Sequence, residues 1–304
     1  MPKRFPSECV TLPRRRGGGE MPVYNGTGVL RKVLLCPSTY YELVPVDDYA
    51  RTAIERGDKV DHEKAEAQHN ELADIYRDAG VEVFWIEEPD PTRHYEVNAR
   101  DFAVNSPRGF VICRFKYSER RGEEVPGEKQ LRKLGHNIFG RIEHGCWEGG
   151  DNKYIDDKNL ATGTGERSTW PGIQNAQEIY AKQGIKVHGI PIPPKWTHLD
   201  CLFAPVAPNL ALIVKSEVPD WFVGFLEGRE YELIDVPVEK AEGEVALNVL
   251  CLGKDRVISF KDNTYVNDIL KSHGLTVYTP DLSEYTERGQ GPHCLTCELD
   301  RDKE

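Results

Sequence analysis

With 304 residues, the chain exceeds an ordinary domain of about 100 to 200 residues and is either two such domains or one large repetitive unit. A 39% share of hydrophobic residues, together with 27 glycines, excludes bulk disorder. Lys and Arg number 39 against 50 Asp and Glu, a net charge of -11, and no basic stretch is interleaved with aromatics; nucleic acid and other polyanions are poor partners, whereas a small cationic substrate is favoured.

In chain order, residues 1–28 read as a flexible or extended segment and 29–304 as a single folded domain. The start, Met1-Pro2-Lys3-Arg4-Phe5-Pro6, lacks the apolar stretch of a signal peptide. Pro2, Pro6 and Pro13 also spoil an amphipathic transit-peptide pattern, so Arg14-Arg15-Arg16 reads as part of a frayed terminus. From residue 29 a cassette of two apolar strands, an amphipathic helix and a further strand recurs five times. The first copy has a strand over 29–37, a helix over 61–79 and a strand over 81–86. The second has strands over 102–104 and 109–115, then a helix with Leu131, Leu134 and Ile138 on one face. In the third, strands over 153–155 and 160–163 precede a helix bearing Ile173, Ala176, Ile179 and Tyr180 and a strand over 185–190. The fourth runs through 202–207, 210–214, a helix with Trp221, Phe222, Phe225 and Leu226, and 231–236. The fifth runs through 248–252, 256–260, a helix with Val266, Ile269 and Leu270, and 275–278, leaving a strand-like tail over 294–299. Such a unit cannot bury its own apolar face, so the expected fold is an α/β five-bladed propeller of ββαβ units around a pseudo-fivefold axis, closed by the C-terminal strand.

No apolar run approaches the roughly 18 residues that cross a bilayer, so no membrane association is expected. Eight cysteines (Cys9, Cys36, Cys113, Cys146, Cys201, Cys251, Cys294, Cys297) are too dilute for a disulfide scaffold, and most lie in apolar runs, which fits a reducing cytoplasm. The sequence is compatible with a homo-oligomer.

Polar residues crowd four junctions between the copies: Asn98-Ala99-Arg100-Asp101, Glu148-Gly149-Gly150-Asp151, His198-Leu199-Asp200, and Gly291-Pro292-His293-Cys294-Leu295-Thr296-Cys297. Each is weak alone. The single CxxC has no second ligand pair for zinc, and on a strand it lacks the helix N-terminus that activates a redox thiol, so neither a metal nor another cofactor is expected. Brought to one axis, a thiol, an imidazole and carboxylates make a nucleophilic site aimed at a cation. By strand alternation, His293 should point away from Cys294 and be structural. Cys36, Cys113, Cys201, Cys251 and Cys297 should pack in the core, and the remaining histidines, His69 among them, should sit on polar faces or helix ends. Loops over 40–60 and 117–127 are the expected lid.

With these motifs in this order, the chain from 29 to 299 resembles the guanidino-group-modifying enzymes of the pentein fold: arginine deiminases, dimethylarginine dimethylaminohydrolases and amidinotransferases. The resemblance implies that Cys294 is the nucleophile, His198 the general acid and base, and Glu148 the carboxylate that orients it. It further implies that Asp101 and Asp200 clamp the guanidinium and that Arg167 binds an amino-acid carboxylate, although Ser168 stands where those families usually have threonine. Asn98 and Asp151 are further candidates for lining the pocket. The implied activity is cofactor-independent hydrolysis of a C–N bond in arginine or a substituted arginine through an S-amidino-cysteine; the alternative is amidino transfer to an amine, favoured by the Gly-x-His-Cys-x-Thr-Cys ending. A catalytically silent binding protein on the same scaffold is the third reading, disfavoured because nucleophile, base and clamps are all present.

Overall fold

The computed structural model describes residues 25–242 and 245–303; most of the segment expected to be flexible lies outside the described residues. The elements are β1 (Leu30–Leu35), α1 (Asp48–Arg56), α2 (His62–Asp78), β2 (Glu82–Trp85), β3 (Ala103–Ser106), β4 (Gly109–Ile112), α3 (Glu124–Lys133), β5 (Ile138–Arg141), β6 (Asn152–Asp156), β7 (Asn159–Thr164), α4 (Trp170–Ala181) and β8 (Lys186–Pro191). They continue with β9 (Phe203–Ala207), β10 (Leu210–Ile213), α5 (Asp220–Glu227), β11 (Glu232–Asp235), α6 (Val238–Ala241), β12 (Leu250–Cys251), β13 (Arg256–Ile258), α7 (Thr264–Ser272), β14 (Thr276–Tyr278), α8 (Ser283–Thr286) and β15 (Cys297–Arg301).

The strands form five mixed three-stranded sheets, β15-β1-β2, β3-β4-β5, β6-β7-β8, β9-β10-β11 and β12-β13-β14. In each the middle strand pairs antiparallel with one neighbour and parallel with the other, the parallel partner following a helical crossover. The first sheet draws its antiparallel strand from the far end of the chain: Leu30 of β1 faces Arg301 of β15, and Leu34 faces Cys297.

Successive units touch through buried polar bonds as well as apolar side chains. Asn105 Nδ2 donates to the carbonyl of Glu298 at 3.0 Å, Tyr180 Oη to that of Asn105 at 3.1 Å, and Tyr231 Oη to that of Ile155 at 2.6 Å. Val249, Val257 and Val266 of the fifth unit share a core with Val206 and Leu212 of the fourth. The fifth unit also meets the first, where Leu30 N donates to the carbonyl of Leu252 at 3.1 Å and Arg256 Nη1 to that of Ala79 at 3.0 Å.

Three sequence expectations need correction. Ile138 opens β5 instead of continuing α3, because Gly135 takes the left-handed conformation (φ +85°) that stops a helix. The tail strand starts at Cys297, so His293 and Cys294 lie in the preceding turns and strand alternation does not apply to them. The lid segments also carry helix: α1 lies within 40–60, its N-terminus capped by Asp47 accepting from Ala50 N at 2.8 Å, and α3 begins within 117–127.

Leu299 is fully buried among Leu34, Phe110 and Ile112, where β15 meets both the first and the second unit. Leu299→Ala is expected to lower the unfolding free energy by about 2–5 kcal/mol, seen as a lower urea midpoint at unchanged slope. An unchanged midpoint would show that β15 adds little to the core.

Candidate active site

The two glycines of Glu148-Gly149-Gly150-Asp151 are required by close approach. A Cβ on Gly149 would lie 1.9 Å from the Arg100 carbonyl oxygen, and one on Gly150 would lie 2.5 Å from His198 Nδ1. Without them the turn at Gly149–Asp151 packs directly on its neighbours: Gly150 N donates to Asp101 Oδ1 at 2.9 Å and Gly149 N to the Asp101 carbonyl at 3.1 Å. Asp151 Oδ1 in turn accepts from Leu199 N at 3.0 Å, which fixes the loop carrying His198. Asp151 therefore braces two junctions; burial raises its carboxyl pKa to about 7.

His198 Nε2 lies 3.2 Å from Glu148 Oε2, with both side chains buried. The same oxygen accepts from Arg167 Nη1 at 2.8 Å and Arg120 Nη1 at 3.4 Å, and Glu148 Oε1 accepts from Lys116 N at 3.1 Å. Arg120 also donates to Asp101 Oδ2 at 3.0 Å and to Glu123, with the Phe115 ring centroid 4.5 Å from its guanidinium. Burial alone would raise the Glu148 pKa, but Arg167, His198 and Arg120 outweigh it and hold the carboxyl ionised. Burial likewise disfavours a charged His198, yet Asp101, Asp151 and the bond to Glu148 raise its pKa to about 9. At neutral pH the ring is an imidazolium.

Arg167, expected to face a substrate carboxylate, is 1% exposed and committed to Glu148 and, through Nη2, to the Val46 carbonyl at 3.1 Å. Asn98 is buried, with Nδ2 on the Tyr95 carbonyl and Oδ1 unpartnered among the described residues.

Cys294 enters from the last junction. Its backbone carbonyl accepts from Arg100 N at 3.0 Å, tying it to the Asp101 loop. Its sulfur lies 3.7 Å from Asp200 Oδ2, and Asn248 spans the two groups: Nδ2 is 2.9 Å from Cys294 Sγ and 3.0 Å from Asp200 Oδ2, while Oδ1 accepts from the backbone N–H of His293 and Cys294. His293, expected to be only structural and turned away, has Nδ1 2.7 Å from the same Asp200 oxygen, because the turn bends it toward the site. Cys201, expected in the core, is partly exposed, with its sulfur 3.7 Å from Asp200 Oδ1. His69, expected on a polar face, is buried in α2, and burial lowers its pKa to about 4. Burial, reinforced by Asp200 and Asp101, holds the Cys294 thiol well above its ordinary pKa, whereas His293 and His198 outweigh burial and keep Asp200 ionised. His198 and Cys294 thus both lie in the field of the Asp200 carboxylate.

Asn248 and Arg120 escaped sequence reading. Asn248 falls in a stretch that scans as strand and Arg120 in a stretch that scans as lid; a buried-polar test would have needed the fold. Among the described residues, Asp101, Glu148 and His198 form a trio whose ligand atoms all lie within 4.8 Å of one another. Arg120 and Arg167 already supply the cations that the carboxylates of this trio require, so the donor set suits internal ion pairing and not a divalent metal. Among the described residues, no helix is long and apolar enough to cross a membrane.

The chain matches the family of eukaryotic N,N-dimethylarginine dimethylhydrolases over residues 41–301. It is 29% identical over 278 residues to the YkgA protein of Bacillus subtilis (strain 168), covering 90% of this chain and 93% of that one. An arginine deiminase of Limosilactobacillus fermentum is 25% identical over 267 residues, covering 72% of this chain and 63% of the relative. Among solved structures, the N-terminal domain of ArgZ, a cyanobacterial arginine dihydrolase, superposes with a TM-score of 0.78 at 20% identity, covering 89% of this chain and 97% of that one. A dimethylarginine dimethylaminohydrolase adduct gives a TM-score of 0.70 at 22% identity, covering 88% and 99%.

Two measurements test this geometry. Gly150→Ala should push the His198 ring off Glu148, so its pKa, read by NMR titration, should fall from about 9 toward its ordinary value of about 6.5. An unmoved titration would show that the glycine does not set the ring's place. Because the resting thiol is held protonated, iodoacetamide should alkylate Cys294 at neutral pH at least about tenfold more slowly than a free cysteine peptide, accelerating only as pH climbs past about 9. A plateau already reached by pH 7 would contradict a protonated resting thiol.

Proposed function

The chain belongs to the N,N-dimethylarginine dimethylhydrolase family, within the guanidino-group-modifying superfamily, and from that premise we propose that it is a cysteine-dependent hydrolase that cleaves a C–N bond of arginine or a substituted arginine. The observation that carries this reading is the placing of Cys294 and His198 in the field of one buried carboxylate, Asp200, with Glu148 bonded to the ring. The five sheets are taken to close into a propeller around a pseudo-fivefold axis, residues 29–304 forming one catalytic domain. In support, β3, β6, β9, β12 and β15, one from each sheet, all line one small cavity.

A guanidinium entering this site meets the ionised Asp200 and the Asp101 carboxylate. Their oxygens match its planar N–H groups and hold its central carbon toward Cys294. The cation lowers the thiol pKa, the thiol proton leaves to solvent, and the Asn248 N–H aimed at sulfur stabilises the thiolate. Sulfur then attacks the central carbon. The C–N bond breaks as His198 gives its proton to the departing nitrogen, leaving an S-amidino cysteine and a neutral imidazole. That imidazole takes one proton from water as the oxygen attacks the same carbon; the C–S bond then breaks as the remaining hydroxyl proton passes to solvent, releasing the neutral ureido product and restoring the thiolate and the imidazolium. One structural neighbour, a variant of the ArgZ N-terminal domain, was captured covalently bonded to a reaction intermediate. Asn98 Oδ1 is a spare acceptor for a substrate N–H. Arg167 holds Glu148 through Nη1 while its Nε has no partner among the described residues, so a substrate carboxylate drawn to it would share the guanidinium with Glu148.

The test is product analysis with arginine, monomethyl- and dimethylarginine, agmatine and guanidinoacetate, with and without added amines. Ureido product with ammonia identifies deimination, and ureido product with alkylamine identifies demethylamination. Ornithine formed only with an amine acceptor would replace hydrolysis by amidino transfer. Cys294→Ser should lower turnover by at least about a thousandfold, whereas Cys297→Ser should stay within a few-fold of the parent. The reverse pattern would overturn the nucleophile assignment.

A further inference from the structure

Lys153 lies on β6, two residues after Asp151, and β6 packs against the Leu199–Cys201 turn that carries Asp200. Its side chain is 6% exposed and lines, with His293, Arg100 and Glu298, a small cavity with room for about one water molecule, so little solvent screens the charges around it. Among the described residues its ammonium forms no direct ion pair. Glu298 is already matched by Arg100 and Arg301. Asp200 is not. Its Oδ2 accepts from Asn248 and lies 2.7 Å from His293 Nδ1, and both partners are neutral: burial, with Lys153 and Arg100 adding to it, lowers the His293 pKa to about 3. His198 is the other cation in the field of Asp200, but its proton is the one that the reaction gives to the departing nitrogen. Burial lowers the Lys153 pKa to about 8; of the charges that face it, Asp200 raises that value most, Glu298 and Cys294 add to the rise, and Arg100 opposes it. At neutral pH Lys153 keeps its proton.

The Asp200 carboxylate, 3.7 Å from the Cys294 sulfur, faces two requirements of opposite sign. It has to be negative to hold a guanidinium, yet its charge works against the thiolate. We propose that Lys153 is a positioning residue of this centre, a fixed cation that acts through Asp200, holding the clamp ionised and offsetting its repulsion of the Cys294 thiolate. What Asp200 and Cys294 do in this inference rests on the hydrolase reading above; where the charge sits rests on the packing of β6 and on the cavity. Unlike His198, Lys153 neither gives nor takes a proton in the reaction, so its charge persists after the imidazole has given its own away.

The test is the pH dependence of Cys294 alkylation by iodoacetamide in the full chain, read by mass spectrometry of the peptide that contains Cys294. Lys153→Met, which keeps the length of the side chain and removes its charge, should alkylate at least about fivefold more slowly at pH 7.5, with the alkaline rise displaced to higher pH. Superimposable profiles in a folded variant would overturn the proposal. With whichever guanidino compound is turned over, the same variant should lower kcat at least about fivefold without raising KM, because the site has lost a positive charge that opposed the incoming cation. A raised KM at unchanged kcat would count equally against it. Should Lys153→Met fail to fold, lysine labelled with carbon-13 at Cε supplies the reciprocal reading: the Lys153 resonance, titrating near pH 8 in the parent, should move down by about one pH unit in Asp200→Asn, and an unmoved midpoint would dismiss Asp200 as its counter-charge and the proposal with it. The alkylation and NMR arms use no substrate, so they decide on Lys153 even where no guanidino compound is consumed, an outcome that would instead remove the hydrolase reading.

Discussion

Gathering Asp101, Glu148, Asp151 and Asp200 into one water-poor centre is the constraint around which the rest of the protein is arranged. Isolated carboxylates there would either take up protons or force the structure apart. The chain answers with guanidinium groups carried on its own loops: Arg120 joins Asp101 to Glu148, and Arg167 covers the other side of Glu148. Asp200 is held by the bond to His293 and the charge of His198, and Asp151, bonded to neither arginine nor histidine, is the one that burial pushes toward its neutral form. The same balance of charge explains why His198 holds its proton so firmly, since it is one of the cations that keep Glu148 ionised.

These pairings also join distant parts of the chain. Arg100 connects the Cys294 backbone, the Gly149 turn and β15 through its own N–H groups. A loop between sheets has little regular structure to hold it, yet here every loop that carries a reactive group is pinned by a buried hydrogen bond to the next. Asn248 does the same for the cysteine, with its amide oxygen on two backbone N–H groups and its amide nitrogen on sulfur. The result is a rigid site built from irregular segments, as precise positioning of a planar substrate demands.

Much of this was legible in the amino-acid order because it repeats. Apolar strands and helical stripes recur at similar spacing, and polar residues at the seams stand out against them. Legibility ended where local rules met tertiary ones. Gly135 after Leu134 is a helix stop that a facial pattern through Ile138 overlooked. Gly291-Pro292 before His293 signals a turn, and ignoring it turned His293 the wrong way. Arg120 and Asn248 carry no local signal; each became conspicuous only when its neighbours in space, drawn from other units, were known. Arg167 was visible as a polar residue near a junction, but the identity of its resting partner was not.

The pairing of β1 with β15 ties the earliest strand of the domain to the latest. During synthesis, the β1–β2 pair must wait with one edge bare while four other units emerge and fold, a wait that makes this edge the segment most in need of shielding from other chains. The residue that brings sulfur to the centre lies only three positions ahead of the strand that completes that first sheet. Assembly of the fold and completion of the site around Cys294 are thereby a single late event.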